Sequence, residues 1–416
     1  MAFVEGKQPL IDKRERKVYL HAPEVKWEAG EWLWELQNYK ARSEDVDRNN
    51  CQIAIQGKSG DAVSNLSYIL NNEPLFNGFQ TMHTRERVYE DDEWDLFTIR
   101  ESDKQQVDSV YIVASVMALR DLESIMRLAD HYKFTLGIPE ITGVFSFLTG
   151  TRQDKNVKMI EESEIERYSE EGEVYKHEGN YYIYDPKALT IRKTMRQLSG
   201  CFDRLMVVEP HSSATQAFAF EEDLPVLPIS PWLWMIEQCK KDLNLNKEDW
   251  VIVRPDEGRN IASERLADFL GLERVSCVKT RLGQGKVSLS FKLEDKIKVQ
   301  GKRGFAFDDE ISTGSTYDKL KVALKGAGAI DLTAMYVHPK FIGTWMDNMS
   351  SSFISQLIGT NSRLPIGALE NLGDRSRTIS LAPFLLDLIK ADINEVNFWE
   401  DERYRQMILQ TQPEER

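Results

Sequence analysis

The segment Arg303–Tyr317, which reads RGFAFDDEISTGSTY, carries the residues of this chain whose types and spacing best suit chemistry. Its short apolar run, Gly304–Phe307, predicts a buried strand. Two adjacent carboxylates, Asp308 and Asp309, follow that strand directly. Neighbouring carboxylates suit hydrogen bonds to ribose hydroxyls, or binding of Mg²⁺, which prefers hard oxygen ligands.

A hydroxyl-rich turn comes next and leads into a predicted helix, Tyr317–Lys325, that ends at Gly326. The turn consists of Ser312, Thr313, Gly314, Ser315 and Thr316. A strand running into such a turn at a helix N-terminus binds anions, because free backbone N–H groups and the positive end of the helix dipole face the ligand. It is not a P-loop, since no Gly-Lys-Ser/Thr follows four residues after a glycine. The segment therefore predicts a site for a phosphorylated ribose.

Five further polar stretches contain groups that suit nucleotides, metals or phosphates. In chain order they are Tyr89–Glu93, Thr151–Lys155, Val207–His211, Val251–Arg259 and Lys279–Lys286. Each stretch alone has an ordinary structural explanation, because an acidic run is usually a solvated turn, a lone histidine is usually structural, and a short basic run is usually a solvated loop. Their joint order is the stronger signal.

In that order, the five stretches and the loop at 308–316 resemble the phosphoribosyl-pyrophosphate (PRPP) synthetases, the ribose-phosphate pyrophosphokinases, over about residues 51–395. The resemblance implies an α/β protein with two type I phosphoribosyltransferase-like domains, each a parallel sheet flanked by helices, plus an N-terminal extension and an inserted β-hairpin. The expected boundaries are 1–50 for the extension, 51–220 for the N-terminal domain with the hairpin at 157–186, 221–390 for the C-terminal domain with the PRPP loop, and 391–416 for a tail.

The resemblance implies an ATP site. Asp91 and Glu93 match a family segment that contributes to the adenine site of a neighbouring subunit, which implies a homo-oligomer, a dimer or larger. Arg152, Gln153 and Asp154 match the family's ATP motif, in which an arginine can fork onto phosphate oxygens.

The resemblance also implies a metal and pyrophosphate site. His211 matches a histidine that meets Mg²⁺ and the ATP phosphates, so it is assigned to catalysis, ATP binding and metal binding together. Asp256 matches an aspartate that helps hold the metal and the ribose. Gly258 and Arg259 lie where the family's backbone approaches pyrophosphate, and glycine there lets the chain come close.

The remaining implied roles belong to phosphoryl transfer. Lys279 and Arg281 match a Lys-x-Arg pair at the head of a mobile catalytic loop, whose two cations stabilise the transferring β-phosphoryl group. Phosphoryl transfer gains most from positioning and charge neutralisation. By the same resemblance, Asp308 and Asp309 contact the ribose hydroxyls, and Ser312–Thr316 hold the 5′-phosphate.

The implied reaction is diphosphoryl transfer from Mg-ATP to the anomeric 1-hydroxyl of a ribose 5-phosphate moiety, with release of AMP. Several residues depart from the family pattern, and among them Glu209 replaces an aspartate, Arg259 takes the place of a glycine, and Ser312 replaces the aspartate of the PRPP loop. Loss of that negative charge should ease binding of a bulkier or more anionic 5′-substituent. Two acceptors therefore stay open, ribose 5-phosphate and ADP-ribose, and the second is the substrate of a phage branch of the family that rebuilds NAD.

Proteins of other classes are the alternatives. A non-catalytic protein associated with PRPP synthetases would lose parts of the catalytic loop or the ATP motif, and this chain keeps both. A PRPP-consuming phosphoribosyltransferase would need neither Thr151–Lys155 nor the pair Lys279 and Arg281.

Length and composition limit the classes of protein to which the chain can belong. The chain has 416 residues, enough for two domains. Its net charge of -14 argues against broad, non-specific binding of nucleic acid. The four cysteines are widely spaced, without the pairing typical of metal sites, and suit a reducing compartment. No apolar stretch has the length of a signal-peptide core or a membrane span, so a cytoplasmic protein without a membrane partner is expected, in the host cytoplasm if the chain is phage-encoded.

The elements that must position these residues follow from hydrophobic patterning. Strand–helix alternation from Cys51 onward predicts mostly parallel sheets. The pattern also predicts a helix at Glu31–Tyr39 and a strand at Phe134–Ile138. The acidic run that precedes EVYKHEGNYYIYD interrupts the alternation, and that sequence itself predicts a hairpin around Glu178–Asn180.

Overall fold

The computed structural model describes most of the chain from residue 107 onward and parts of the segment before it. The described residues are 2–3, 10–11, 17–18, 25–26, 51–56, 63, 66, 80–88, 94–99, 107–160, 162–171, 174–177, 180–185, 187–255, 261–281, 287–363, 369–398 and 400–408. The helix predicted at Glu31–Tyr39 lies outside these residues. So do the predicted site residues Asp91, Glu93, Asp256, Gly258 and Arg259.

Strands and helices alternate along the described residues. The strands are β1 (Ala2–Phe3), β2 (Leu10–Ile11), β3 (Lys17–Val18), β4 (Val25–Lys26), β5 (Cys51–Gln56), β6 (Gln80–Val88), β7 (Trp94–Ile99), β8 (Ser109–Val116), β9 (Glu140–Leu148), β10 (Val157–Ile160), β11 (Val174–His177), β12 (Asn180–Tyr184), β13 (Arg204–Val208), β14 (Val226–Ile229), β15 (Trp250–Arg254), β16 (Glu273–Arg281), β17 (Val287–Phe291), β18 (Arg303–Ile311), β19 (Leu332–Pro339), β20 (Ile354–Thr360) and β21 (Ser376–Ile379). The helices are α1 (Leu119–Asp130), α2 (Ile165–Glu171), α3 (Thr190–Leu198), α4 (Ala214–Glu221), α5 (Trp232–Leu243), α6 (Ile261–Leu270), α7 (Leu293–Val299), α8 (Ser315–Gly326), α9 (Trp345–Met349), α10 (Ala382–Ile393) and α11 (Glu402–Arg405).

Two large sheets of similar design organise the part of the chain that is described. The first has seven strands in the order β14-β13-β9-β8-β5-β6-β7, and the second has seven in the order β17-β16-β15-β18-β19-β20-β21. Each is parallel apart from one antiparallel edge strand, β7 beside β6 and β17 beside β16. The predicted α/β class with two mostly parallel sheets is confirmed. No described helix has the length and apolar character needed to cross a membrane.

The central strands are buried along their whole length because helices cover both faces of each sheet. Every residue of β8 and of β9 is buried. One core cluster fills the outer face of each sheet. A third cluster lies between the two sheets and includes residues of β13, β18, α5 and α10. The two halves therefore share a core.

Helix α5 and helix α10 make the aromatic contacts of that shared core. Trp232 packs edge-on against Phe307, with 5.4 Å between ring centroids. Trp234 lies 5.5 Å from Phe384. Large buried aromatics make close-packed contacts that resist sliding, so the two sheets are held at a fixed distance from each other.

The inserted segment contains the predicted hairpin, a third strand and a short helix. β11 pairs with β12 in antiparallel register, from Val174↔Ile183 to His177↔Asn180. β10 adds a third strand on the other side of β12. The acidic run that was expected only to precede the hairpin forms a short 3₁₀ turn and helix α2. Met159 and Tyr175 pack against the buried Tyr182, so the insertion has a small apolar face of its own.

The strand predicted at Phe134–Ile138 is wrong. A π-helical turn, His131–Thr135, extends α1 instead, and the next strand begins at Glu140. Tyr132 is buried on this turn while Phe134 is 67% exposed. Gly137, with φ +68°, then ends the turn in a conformation that glycine adopts without a steric penalty.

A buried ionic network joins helix α10 to the first sheet. Arg204 is 2% exposed and donates to both carboxylate oxygens of Asp392, at 2.8 and 2.5 Å. The same guanidinium donates to Glu140 at 2.9 Å. The Tyr111 hydroxyl donates to Asp392 at 2.6 Å. One cation therefore neutralises two buried carboxylates.

Removal of the Arg204 charge should strongly destabilise the fold. We expect Arg204→Met to lower the free energy of unfolding by about 3–5 kcal/mol, because it leaves two buried carboxylates uncompensated. The matched control is Arg192→Met, which removes a half-exposed partner of Glu221 and should cost about 1 kcal/mol or less. Urea denaturation followed by tryptophan fluorescence measures both, and equal losses would contradict the assignment.

Another buried carboxyl, Glu209, lies where the first sheet meets the shared core. It is 6% exposed, accepts a 2.9 Å hydrogen bond from Trp232 Nε1, and has φ +40°, a left-handed conformation uncommon for glutamate. Burial raises the pKa of Glu209 to about 8 from its ordinary 4.5.

Glu209 should make stability fall as the pH rises. Between pH 4.5 and 8 the unfolded state loses the proton that the folded state keeps, so each step up in pH favours unfolding. Glu209→Gln, which imitates the protonated form, should remove that slope. Melting temperatures of both proteins at pH 5 and pH 8 test this. If the difference in melting temperature between the wild type and Glu209→Gln is the same at pH 5 and pH 8, Glu209 does not titrate in this range.

Candidate active site

A cleft of about 350 Å³ lies between the two halves, at the carboxyl ends of their central strands. Arg152 and His211 line it from the first half, and Pro255 and Phe307–Tyr317 line it from the second. Ligands of open α/β sheets bind at this edge, where side chains that follow neighbouring strands converge. The cleft thus brings together three of the five polar stretches selected from the sequence and the loop at 308–316.

The hydroxyl-rich loop lines the cleft, and the strand before it is longer than predicted. β18 continues to Ile311, so Asp308 and Asp309 lie on the strand and not after it. Helix α8 then begins at Ser315, and its first turn leaves backbone N–H groups free for an anion.

Gly314 is required where the loop enters the helix. Its φ is +73°, and a Cβ there would lie 2.9 Å from Met349 Cγ. Asn348 holds the preceding residue, because its side-chain amide donates to the Thr313 carbonyl at 2.8 Å. The loop is therefore fixed in shape by α9 before any ligand binds.

His211 and Asp309 join the two halves across the cleft. Asp309 Oδ2 lies 2.5 Å from His211 Nδ1. Although burial opposes the charged imidazole, the hydrogen bond and the charge of Asp309 raise the pKa of His211 above its usual value. The reverse holds for the partner, since His211 outweighs burial and lowers the pKa of Asp309. The pair is therefore imidazolium with carboxylate.

Asp308 is in the opposite electrostatic state. Burial, followed by the neighbouring charge of Asp309, raises the pKa of Asp308 well above its usual value. Two adjacent carboxyl groups in one buried site do not both ionise readily. Asp308 therefore carries a proton that it can donate to a ligand oxygen, whereas Asp309 accepts.

The three residues of the predicted ATP motif do not all face the cleft. They follow β9, at a turn where the backbone N–H of Gln153 donates to the Gly150 carbonyl at 3.2 Å. Arg152 reaches across the cleft to Glu310, with 2.7 Å between Nη1 and Oε1. Asp154 is buried, and its charge contributes to the raised pKa of His211. Gln153 instead contacts the Thr190 hydroxyl at the start of α3.

The structure describes the backbone, but not the side chains, of Lys279 and Arg281. Both lie on β16, which pairs with β17 through Lys279↔Leu289 and Arg281↔Val287. The predicted mobile loop is thus the connection of this hairpin, residues 282–286, which lies outside the described part. β16 is two strands away from β18, with β15 between them.

The segments Val337–Pro339 and Gly359–Ser362 pack beneath the residues that line the cleft. His338 is buried and hydrogen bonds Ser362 Oγ at 2.9 Å and the Glu209 carbonyl at 3.0 Å. Burial lowers the pKa of His338 to about 4, so the ring is neutral. Gly359 is required here, because a Cβ would lie 2.0 Å from the Tyr336 ring.

Two charged residues of this region received no role from the sequence. Glu310 is 7% exposed and lines the cleft beside the two aspartates. Lys340 lies 2.5 Å from it, nitrogen to oxygen. Glu310 continues an acidic run and Lys340 follows a proline, and no local pattern distinguishes such residues from solvated surface charges.

The described residues contain no group of three or more potential metal ligands. Of the two predicted ligands, His211 lies in the cleft and Asp256 is outside the described residues. Mg²⁺ is usually held by one or two carboxylates together with substrate phosphates and water. The Asp309 carboxylate, beside a phosphate-binding loop, fits such a partial site.

Comparisons with known proteins find similarity in sequence and in fold. No protein-family model matches the chain. It is 30% identical over 208 residues to ribose-phosphate pyrophosphokinase 1 of Streptococcus pneumoniae, a match that covers 49% of this chain and 61% of the relative. The enzyme of the same name from Streptococcus pyogenes is equally similar, with 62% covered. The chain thus spans less than two thirds of the length of these relatives.

The fold extends the likeness over more of the chain. Phosphoribosylpyrophosphate synthetase from Mycobacterium smegmatis superposes with a TM-score of 0.61 and 20% identity, covering 83% of this chain and 99% of that one. The chain is thus similar in sequence to ribose-phosphate pyrophosphokinases over about half of its length, and it shares the fold of a phosphoribosylpyrophosphate synthetase over most of it.

Proposed function

We propose that the chain is a diphosphokinase, which transfers the β,γ-diphosphoryl group of Mg-ATP to the anomeric hydroxyl of a ribose 5-phosphate moiety and releases AMP. The observation that carries this proposal is the single cleft to which Arg152, His211 and the loop at 308–316 all contribute. An ATP motif and a ribose-phosphate loop that face each other suit transfer between their two ligands.

The acceptor binds on the second half of the cleft in this proposal. Backbone N–H groups and hydroxyls of Ser312–Thr316 hold the 5′-phosphate at the start of α8. Asp309 accepts from one ribose hydroxyl, and protonated Asp308 donates to a ribose oxygen. These contacts fix the sugar so that its 1-hydroxyl faces the ATP motif.

The donor binds against the first half. Arg152 and His211 contact the ATP phosphates, while Asp91 and Glu93 reach the adenine from a neighbouring subunit of a homo-oligomer. Asp256 and the Asp309 carboxylate would hold Mg²⁺, which neutralises phosphate charge when bound, and His211 would become a ligand only on losing its proton to the metal's competition.

In the chemical step, the 1-oxygen forms a bond to the β-phosphorus as the bond from that phosphorus to the α,β-bridging oxygen breaks. The bridging oxygen leaves with AMP, and the hydroxyl proton passes to solvent. Lys279 and Arg281 stabilise the charge on the transferring phosphoryl oxygens. Gly258 and Arg259 contact the diphosphate product.

Two acceptors share all of these residues, ribose 5-phosphate and ADP-ribose. Ser312, which stands where the family has an aspartate, favours the second, because its neutral side chain does not repel an additional phosphate. The products would be PRPP and ADP-ribose 1-pyrophosphate, and the second would serve to rebuild NAD in a phage-infected cell. Either reaction would take place in the cytoplasm.

Release of AMP tests the proposal. With Mg-ATP and either acceptor, we expect AMP to form in proportion to acceptor consumed, as measured by ion-exchange chromatography. ADP would indicate a monophosphoryl kinase. No AMP with either acceptor would overturn the enzyme proposal and favour a non-catalytic regulator, and PRPP consumption with a nucleobase would favour a phosphoribosyltransferase.

Lys279→Ala should lower kcat by about a hundredfold or more, because one cation of the transition-state pair is lost. The control is Lys240→Ala, on the exposed face of α5, which should leave kcat unchanged. Steady-state release of AMP measures both variants, and full activity of Lys279→Ala would contradict the proposed mechanism.

Ser312→Asp should separate the two acceptors. The new carboxylate adds repulsion near the 5′-phosphate, which we expect to lower kcat/KM for ADP-ribose about tenfold more than for ribose 5-phosphate. Ser312→Asn is the uncharged control of similar size. Equal losses for the two acceptors would show that Ser312 does not determine which one binds.

A further inference from the structure

We propose that Glu310 is a positioning residue, which holds Arg152 of the ATP motif in place and ties it to the acceptor loop. This inference rests on the proposed function, because it assigns Glu310 a part in binding the donor nucleotide. The contacts that carry it cross the boundary between the two halves.

Glu310 lies between two cations that come from different halves of the molecule. Arg152, after β9, places Nη1 2.7 Å from Oε1, and Lys340, after β19, places Nζ 2.5 Å from Oε2. The contact with Arg152 is an ion pair without the alignment of a hydrogen bond, since Oε1 makes none. The carboxylate side chain is 5% exposed, whereas that of Arg152 is 52% exposed.

This difference in exposure defines which group is fixed. A carboxylate buried in a packed strand has one position, while an exposed arginine samples many rotamers. The backbone on both sides of Glu310 is held by β19, in the register Asp308↔Tyr336 and Glu310↔His338. Glu310 is therefore the anchor, and Arg152 is the group that it orders.

Lys340 connects the same carboxylate to the acceptor loop. Its backbone N–H donates to the Ile311 carbonyl at 2.8 Å, and Ile342 N–H donates to the Ser312 carbonyl at 3.0 Å. The Nζ group also lies 5.6 Å from the centre of the Phe147 ring at the end of β9. The ion pairs of Glu310 thus link the turn after β9 to the loop that begins at Ser312.

Simple electrostatics predicts the opposite effect from positioning. Glu310 adds a negative charge beside the ionised Asp309, and a triphosphate is itself an anion. If Glu310 acted only through its charge, its removal would strengthen ATP binding. If it orders Arg152, its removal weakens ATP binding, since the guanidinium must then be immobilised when the nucleotide binds.

The test measures binding of Mg²⁺ with α,β-methylene-ATP, whose bridging carbon prevents transfer, by isothermal titration calorimetry. We expect Glu310→Gln and Glu310→Asp each to raise Kd about five- to tenfold. Glu310→Gln removes the charge that attracts Arg152, and Glu310→Asp keeps the charge on a side chain too short to contact Arg152. In an Arg152→Gln background, Glu310→Gln should have no further effect. Glu221→Gln, on α4 away from the cleft, is the control and should bind as the wild type does.

Each other outcome overturns a defined part of the account. Tighter binding by Glu310→Gln, with Glu310→Asp unchanged, would show that Glu310 acts only by repulsion. Additive losses in the double variant would show that it acts independently of Arg152. Failure of the wild type to bind the analogue would overturn the proposed function itself, whereas the first two outcomes would leave it standing.

Discussion

Packing of both sheets against one shared core is the constraint on which the rest of the structure depends. Helices α5 and α10 lie in that core, and Trp232 against Phe307 joins the end of the first half to the strand that carries the aspartates. Because the sheets cannot slide, the carboxyl ends of β9, β13 and β18 meet at one cleft. The contact between His211 and Asp309 is possible only at that fixed distance.

The acidic run Asp308–Glu310 is tolerated because each carboxyl has a different partner. Asp309 is ionised beside imidazolium, Asp308 keeps its proton, and Glu310 lies between two cations. Three adjacent buried anions without such partners would destabilise the strand by several kcal/mol. The cleft therefore contains an acceptor, a donor and a paired charge within one strand end, and this variety suits a polyhydroxylated, phosphorylated ligand.

Much of the architecture could be predicted from sequence because it depends on local pattern. The alternation of strands and helices from Cys51 onward follows from hydrophobic patterning, and the hairpin of β11 and β12 follows from alternating residues around a turn. The end of β18 could not be predicted in this way, because Asp308 to Ile311 are held as strand by pairing with β19 and not by their own apolarity. The π-helical turn at His131–Thr135 likewise replaced a strand that local β propensity favoured.

The residues of the candidate site also differ in whether the local sequence could predict them. Arg152, His211 and the loop at 312–316 were recognisable because each belongs to a contiguous motif. The ion pairs of Glu310 could not be recognised from the sequence. Arg152 and Lys340 are distant from Glu310 in the chain, and only the fold brings the three residues together. Gln153 is the opposite case. It matches the motif, but it contacts Thr190 and is not among the residues that line the cleft.

The central claim is that both terminal phosphoryl groups of ATP pass together to an anomeric oxygen. Phosphorus-31 NMR of the reaction with Mg-ATP and each acceptor tests it most directly. The account predicts two new, mutually coupled resonances for a diphosphate on carbon 1, together with AMP. A single new phosphate-ester resonance with ADP, or inorganic phosphate alone, would contradict it.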